Sequence, residues 1–388
     1  MKHIKSQKFL VFLLAAVTLL SLPCSAAHLP SVATAADTQE TPSYDITPCS
    51  SFLLSNEHVA HDLSLPHAVP CSPAAANERK LIPGGMPFGV KFTTDGVLVV
   101  GFCDVDTDTG KANPAYSAGL RTGDIIQKLD DHPVKDAAAL SEAMDARAGN
   151  PFHVTFSRNG DEHTITLTPA YSVSEGKYKS GIWIRDGGAG IGTVTFIEPQ
   201  SGLFAGLGHG ICDGDTGKLI PLSRGTVIDV TISGIIRGLP GTPGEVKGYF
   251  NSEKLGTVFG NTECGVYGLL SAIPSQCGEA IPVAARGEIH EGAAELRCSL
   301  DSGTVQSYDV TISAINPTAQ SNKCFTVTVT DPALIEKTGG IVQGMSGSPL
   351  IQDGKLIGAV THVLINDPTT EYGIFIDNML DQMGALAE

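Results

Sequence analysis

Positive charge is what this 388-residue chain most lacks: 25 Lys and Arg stand against 41 Asp and Glu, for a net charge of −16. Nucleic-acid binding needs a Lys/Arg surplus to displace counterions from phosphates, so nucleic acid is excluded as a partner. Solubility accounts for the acidity. Long periodic helical stretches are scarce, while 44 Gly and 23 Pro punctuate short apolar runs, the pattern of many short strands joined by turns. No repeat occurs at solenoid or propeller spacing. There is no His-Glu-x-x-His helix, and His209 and Cys212 are followed by no second pair at ligand spacing, so neither metal nor cofactor is expected.

What is present begins with an export pattern. Lys2, Lys5 and Lys8 precede the apolar run Phe9–Leu22, and "PCSAA" follows. The run is short for a membrane span of about 20 residues and fits a signal core. Residues 1–27 are therefore expected to be an export signal or, if uncut, a membrane anchor; Cys24 after Ser-Leu-Pro is a poor lipidation context. Nine cysteines would leave an even number after signal removal, compatible with disulfides outside the cytoplasm, but their spacing names no framework. Cys103, Cys264, Cys298 and Cys324 sit in strand-like or apolar settings and are expected to pack as small hydrophobes. Residues 28–80, rich in Ala, Ser, Pro and Thr, read as a linker.

Residues 86–169 read as a compact unit of strands around the helix-like "DAAALSEAMDARA". On "PFGVKF" and "SAGLRTGDIIQKLDDHPV" this unit resembles a PDZ domain. The resemblance implies a loop of Phe88, Gly89 and Val90 that receives a peptide carboxylate on backbone N–H groups, the peptide adding a strand alongside. The competing reading makes Gly119, Gly123 and Asp124 turn residues only. From 181 to 388, short apolar runs separated by Gly, Asp and Asn suit a barrel or sandwich, with room for two small barrels.

Two motifs in this second half carry chemistry. "GMSGSPLI" sets Ser346 in a glycine-rich turn between strands, and "GLGHGICDGD" sets His209 between two glycines. A serine hydroxyl is a weak nucleophile near neutral pH; it needs an imidazole to take its proton and a third group to fix the imidazole's tautomer. The backbone N–H groups of Gly344 and Ser346 can both aim at one oxyanion. The turn resembles the nucleophile turn of chymotrypsin-like serine proteases, which implies a double β-barrel.

Taken with the PDZ-like unit and the N-terminal apolar segment, "AGLGHGICD", "TDPALIEKTGGIVQGMSGSP" and "GKLIGAVTHVLINDPTTEYGIFIDNML" resemble the stage IV sporulation protein B (SpoIVB) peptidases of endospore-forming bacteria. That resemblance implies His209 as base, Ser346 as nucleophile and Asp331 as the orienting carboxylate, with Asp215 and Asp229 as alternatives. It also implies protein substrates, among them a membrane-bound regulatory protein, and a role in forespore-to-mother-cell signalling that activates a sigma factor from the space between the two membranes. The PDZ-like groove is expected to recognise a segment of the protease itself or of its membrane partner. His362, on the strand that walls the specificity pocket in chymotrypsin-like folds, is a candidate hydrogen-bond donor to substrate or a packed structural histidine. The alternatives to a signalling protease are an inactive exported adaptor carrying a PDZ domain and a general envelope quality-control protease.

Overall fold

The computed structural model describes residues 79–388 apart from Ser302, Ile365 and Glu388. The expected export segment, and the linker as far as residue 78, lie outside the described residues.

Two β-barrels carry the fold. In the first, the strands run in the ring order Pro87–Phe102, Ile182–Ile197, Leu203–Gly206, Gly265–Leu270, Glu245–Thr262 and Leu222–Ile236. The ring closes because the stretch 89–93 that pairs with the second of these strands also pairs with the last. Alternation drives this closure: Phe88, Val90 and Phe92 are buried while Lys91 is exposed, so one face of the strand fills the barrel. There Phe88 meets Phe204 edge to face at 5.5 Å, among Val227, Val258 and Val266.

The second barrel is closed by Gly292–Cys298, Gln306–Ser313, Phe325–Val329, Thr370–Phe375, Lys355–Val363 and Pro349–Gln352. Leu296, Val310, Val327, Leu356 and Phe375 belong to its core, and the helix Ile376–Ala387 adds buried Met379 and Met383. The fold is thus mainly β, with a chymotrypsin-like pair of barrels as expected. Cys264, Cys298 and Cys324 are buried thiols, as their apolar settings predict, whereas Cys103 is only partly covered.

The PDZ-like unit is inserted into the first barrel. The Pro87–Phe102 strand leaves the ring near Gly96, which has φ +99° and whose Cβ position would lie 2.4 Å from Ile126 O. Its far half pairs with Ile125–Leu129, and the chain returns through Ile182–Ile197. These two 16-residue strands therefore belong to both units. Within the insert, Leu120, Ile126, Leu140, Phe152 and Phe156 form a core of their own. Asp124 is more than a turn residue: 1% exposed, it takes two 2.7 Å bonds from the Arg158 guanidinium and one from Arg121 N, a bidentate pair that locks the turn to a strand.

This topology corrects two expectations. Residues 87–94 are a strand of the first barrel, so that barrel begins ahead of the PDZ-like unit and not at 181. Phe88, Gly89 and Val90 consequently form no peptide-receiving loop. They are laddered on one side to Gly192, Ile191 and Gly190, and Gly89 and Val90 on the other to Ile228 and Val227. A β-carbon on Gly89 would come 2.4 Å from the Phe250 ring and 3.0 Å from Val230. Gly89→Val is accordingly expected to act as overpacking, costing about 1–3 kcal/mol in thermal or denaturant unfolding, and not as a selective defect in peptide capture.

One buried carboxyl group stands out in the second barrel. Glu371 is fully buried and opposes core residue Val327 across the ladder, so its side chain shares that inward face. Neither carboxyl oxygen has a hydrogen-bond partner. Burial raises its pKa well above the ordinary 4.5, so the folded chain holds a proton that the unfolded chain releases above 4.5. Stability from this site is complete below pH 4.5 and declines as pH rises toward the folded-state pKa. Glu371→Gln should therefore be more stable than wild type at pH 7–8, with the advantage vanishing toward pH 4.5 in denaturant melts.

Candidate active site

His209 follows the first barrel's Leu203–Gly206 strand through two residues with positive φ, Leu207 (+68°) and Gly208 (+65°). Glycine is required at 208 because a β-carbon there would sit 3.0 Å from the Thr361 side chain and 3.1 Å from Val360 O. That approach presses the histidine loop against the second barrel. The loop is held from behind by Asn261, which accepts from Ile211 N (2.8 Å) and donates to the carbonyls of Ile211 and Ile220 (2.9 Å each). Sequence reading missed Asn261; its only signal is an Asn at the foot of a hairpin.

Ser346 lies in a turn stitched to the first barrel. Thr193 N donates to Ser346 O at 3.0 Å, Thr193 Oγ1 to Gly344 O at 2.9 Å, and Thr195 Oγ1 to Gly347 O at 2.8 Å. Val246 N adds a 2.8 Å bond to Gln343 O. Gly344 and Gly347 have φ of +95° and +93°, and a β-carbon at 347 would fall 2.2 Å from Thr193 O. The turn can follow this path only with glycine at that contact. Among the described residues, the N–H groups of Gly344 and Ser346 have no intramolecular acceptor, which leaves both available to an oxyanion.

Nucleophile and base candidates meet across one dipeptide. Ser346 Oγ donates to Thr361 O at 2.8 Å, and the His209 ring lies 4.8 Å from the His362 ring, centroid to centroid, at 38° between planes. The tautomer of His209 follows from its own bond: Nδ1 faces Gly210 O at 2.9 Å. A carbonyl can only accept, so Nδ1 carries the hydrogen and Nε2 the lone pair. Burial lowers the His209 pKa below its ordinary 6.5, with the Gly210 bond opposing the shift, and the ring is a neutral base near neutral pH.

Asp331 is not brought to His209. Its carboxylate caps the helix Pro332–Thr338, accepting from Ala333 N (2.8 Å) and Leu334 N (3.1 Å), with a longer contact from Asp309 N at 3.4 Å. Asp followed by Pro is an N-cap and N1 pair, and this local signal prevails over the expected triad role. The alternatives are also committed elsewhere: Asp215 pairs with Arg185 at 2.8 Å and Asp229 accepts from Asn251 at 2.5 Å. Asp213, nearest His209 in sequence, is paired with Arg185 as well. Among the described residues, the interactions of the His209 ring are with Gly210 O and the His362 ring.

The inserted unit offers a groove in a different place from the one expected. Among the described residues, Ile182–Arg185 pair with a strand on one side only. Beside them runs the helix Ala137–Ala146, whose first N–H, that of Ala137, is capped by Asp186 at 2.8 Å. A narrow cavity of about 10 Å³ between them is lined by Leu140, Met144, Ser180 and Ile182 over Leu120 and Phe152.

Thr193→Val keeps the N–H to Ser346 O but leaves Gly344 O without its side-chain donor. Stability should fall by about 1–3 kcal/mol in thermal unfolding, and cleavage should fall further than the lost stability explains, because the oxyanion turn is loosened; the cleavage rate of the still-folded variant checks this.

The family model of SpoIVB peptidase S55 matches residues 176–380, and that of the PDZ domain matches residues 85–168, a span whose first ten residues the strand pairing assigns to the barrel. A solved PDZ domain of the SdrC-like protein from Listeria monocytogenes is 20% identical, covers 24% of this chain and 90% of its own, and superposes with a TM-score of 0.20. No curated protein matches the chain.

Proposed function

The chain belongs to the SpoIVB peptidase S55 family and is a serine peptidase with a PDZ domain; from that premise we propose that Ser346 is its nucleophile, His209 its base, and Gly344 and Ser346 its oxyanion donors. The observation that carries the assignment is the convergence of the Ser346 hydroxyl and the His209 ring on Thr361–His362, beside two uncommitted N–H groups.

In the reaction this geometry supports, the Ser346 hydroxyl leaves Thr361 O and attacks the scissile carbonyl carbon as its proton passes to His209 Nε2. The carbonyl oxygen, now an anion, takes the two N–H groups. The imidazolium then protonates the leaving amine as the C–N bond breaks, giving an acyl-enzyme. A water attacks in turn, giving its proton to His209, and Ser346 departs with a proton returned. Gly210 O does for the tautomer what a carboxylate does in other triads, without a buried negative charge.

The substrates are proteins, presented as extended segments, and the Ile182–Arg185 edge captures one such segment. We place the activity in sporulation signalling: an exported enzyme acting between forespore and mother-cell membranes on a membrane-bound regulatory protein, leading to sigma factor activation. Family membership supports this role, and the opening apolar run of the sequence supports export.

Ser346→Ala should retain the fold and lose cleavage by several orders of magnitude; near-normal cleavage by the purified variant rejects the assignment. In wild type, the acid limb of kcat/KM should lie below pH 6.5, since His209 works while neutral and burial lowers its pKa. A limb above 6.5 in a pH–rate profile contradicts that account.

A further inference from the structure

A buried nitrogen at the site remains without a use in the reaction above. His362 Nδ1 is enclosed and has no hydrogen-bond partner, although buried polar groups are almost always paired. The ring it belongs to lies against His209. A register shift between Val360 and Val363 takes Thr361 and His362 out of regular strand alternation. Thr361 is buried, with its hydroxyl on the carbonyls of Asn322 and Tyr372 (2.9 and 3.1 Å), which pins the backbone that carries His362.

We propose that His362 is a positioning residue for the base: its imidazole, laid against the ring of His209, holds Nε2 toward Ser346 and, through the buried Nδ1, supports the positive charge that arrives with the serine proton. This rests on the reading of Ser346 and His209 given above. No proton is transferred to His362; the proton balance stays between Ser346, His209 and the leaving amine.

Electrostatics agree with the geometry. Burial, then the proximity of His209 and of Lys323, lower the His362 pKa to about 4, so near neutral pH the ring is neutral and sets no second cation against the imidazolium. Lys323, which precedes the Phe325–Val329 strand and lies over the Tyr372 ring at 5.2 Å, is the one charged group of the described residues that bears on His362; Gly210 and Thr361 face the pair with neutral groups. Support from His362 raises the His209 pKa relative to what burial alone would give, and its removal lowers it.

The test uses the full chain and a peptidyl diphenyl phosphonate, which reacts with the activated serine, and reads the inactivation rate constant and the inhibitor affinity separately across pH. His362→Phe keeps a ring but no nitrogen. The inactivation rate should fall about 10- to 100-fold, the scale of a misplaced catalytic group, with affinity within about twofold and the acid limb moved to lower pH. His362→Asn, whose amide oxygen stands at the Nδ1 position, should recover most of the rate. If His362→Phe does not fold, His362→Gln, which leaves that position empty, should show the same loss. An unchanged rate and limb in the nitrogen-free variant, an Asn variant no better than Phe, or a change confined to affinity overturns the proposal, the last marking His362 as a wall of the substrate pocket. Ser346→Ala run in parallel separates the two readings: label on that variant counts against Ser346 as the nucleophile, and its absence leaves any failure with His362 alone.

Discussion

The ladder between Pro87–Phe102 and Ile182–Ile197 is the interaction on which the rest of the structure depends. It closes the first barrel at one end, from Pro87 opposite Thr193, and forms part of the PDZ sheet at the other, from Phe102 opposite Ile182. Thr193 and Thr195, at the barrel end of the second strand, donate to the turn that carries Ser346. A shift of that strand by one residue would turn Val194 and Phe196 out of the cores and withdraw both threonines from the turn, because side chains alternate with a period of two. Barrel packing and active-site geometry are thus set by one register.

The glycines at the junction of the barrels have the same origin. At Gly208 and Gly347 a β-carbon would run into backbone or side chain of the opposite barrel. Catalytic geometry here is a matter of how closely two closed barrels can approach, and side chains on their facing loops are positioned by backbone contact more than by one another.

Much of this was legible in the sequence, and the losses have a common cause. Ser346 and His209 were singled out because each sits in a glycine-framed turn whose chemistry is local, and the fold brings both to Thr361–His362. A barrel or sandwich was legible in the spacing of apolar runs, and the double barrel was implied by the resemblance of the Ser346 turn to that of chymotrypsin-like proteases. "PFGVKF" was misplaced because an alternating apolar strand has the same pattern in a PDZ sheet and in a barrel; its partners at 187–193 and 222–228 decide between them, and both lie far along the chain. Asp331 was assigned by resemblance, whereas the Asp-Pro pair already spelled a helix cap. Gly210 O and Asn261 left no trace, since a backbone carbonyl has no letter and a side chain bonded to distant backbone looks like any other Asn.

The insertion also orders the birth of the molecule in time. Pro87 leaves the ribosome 193 − 87 = 106 residues ahead of Thr193, its ladder partner, an interval of about 5–20 s at ordinary elongation rates. During it the inserted unit, whose other strands and helices lie within that interval, can gather its own core while the barrel half of its first strand waits with Phe88, Val90 and Phe92 unburied. Closing so distant a pair is slow, and until it happens Ser346 O has no Thr193 to accept from. The nascent enzyme can therefore assemble its PDZ domain well before the barrel that supports the Ser346 turn has closed.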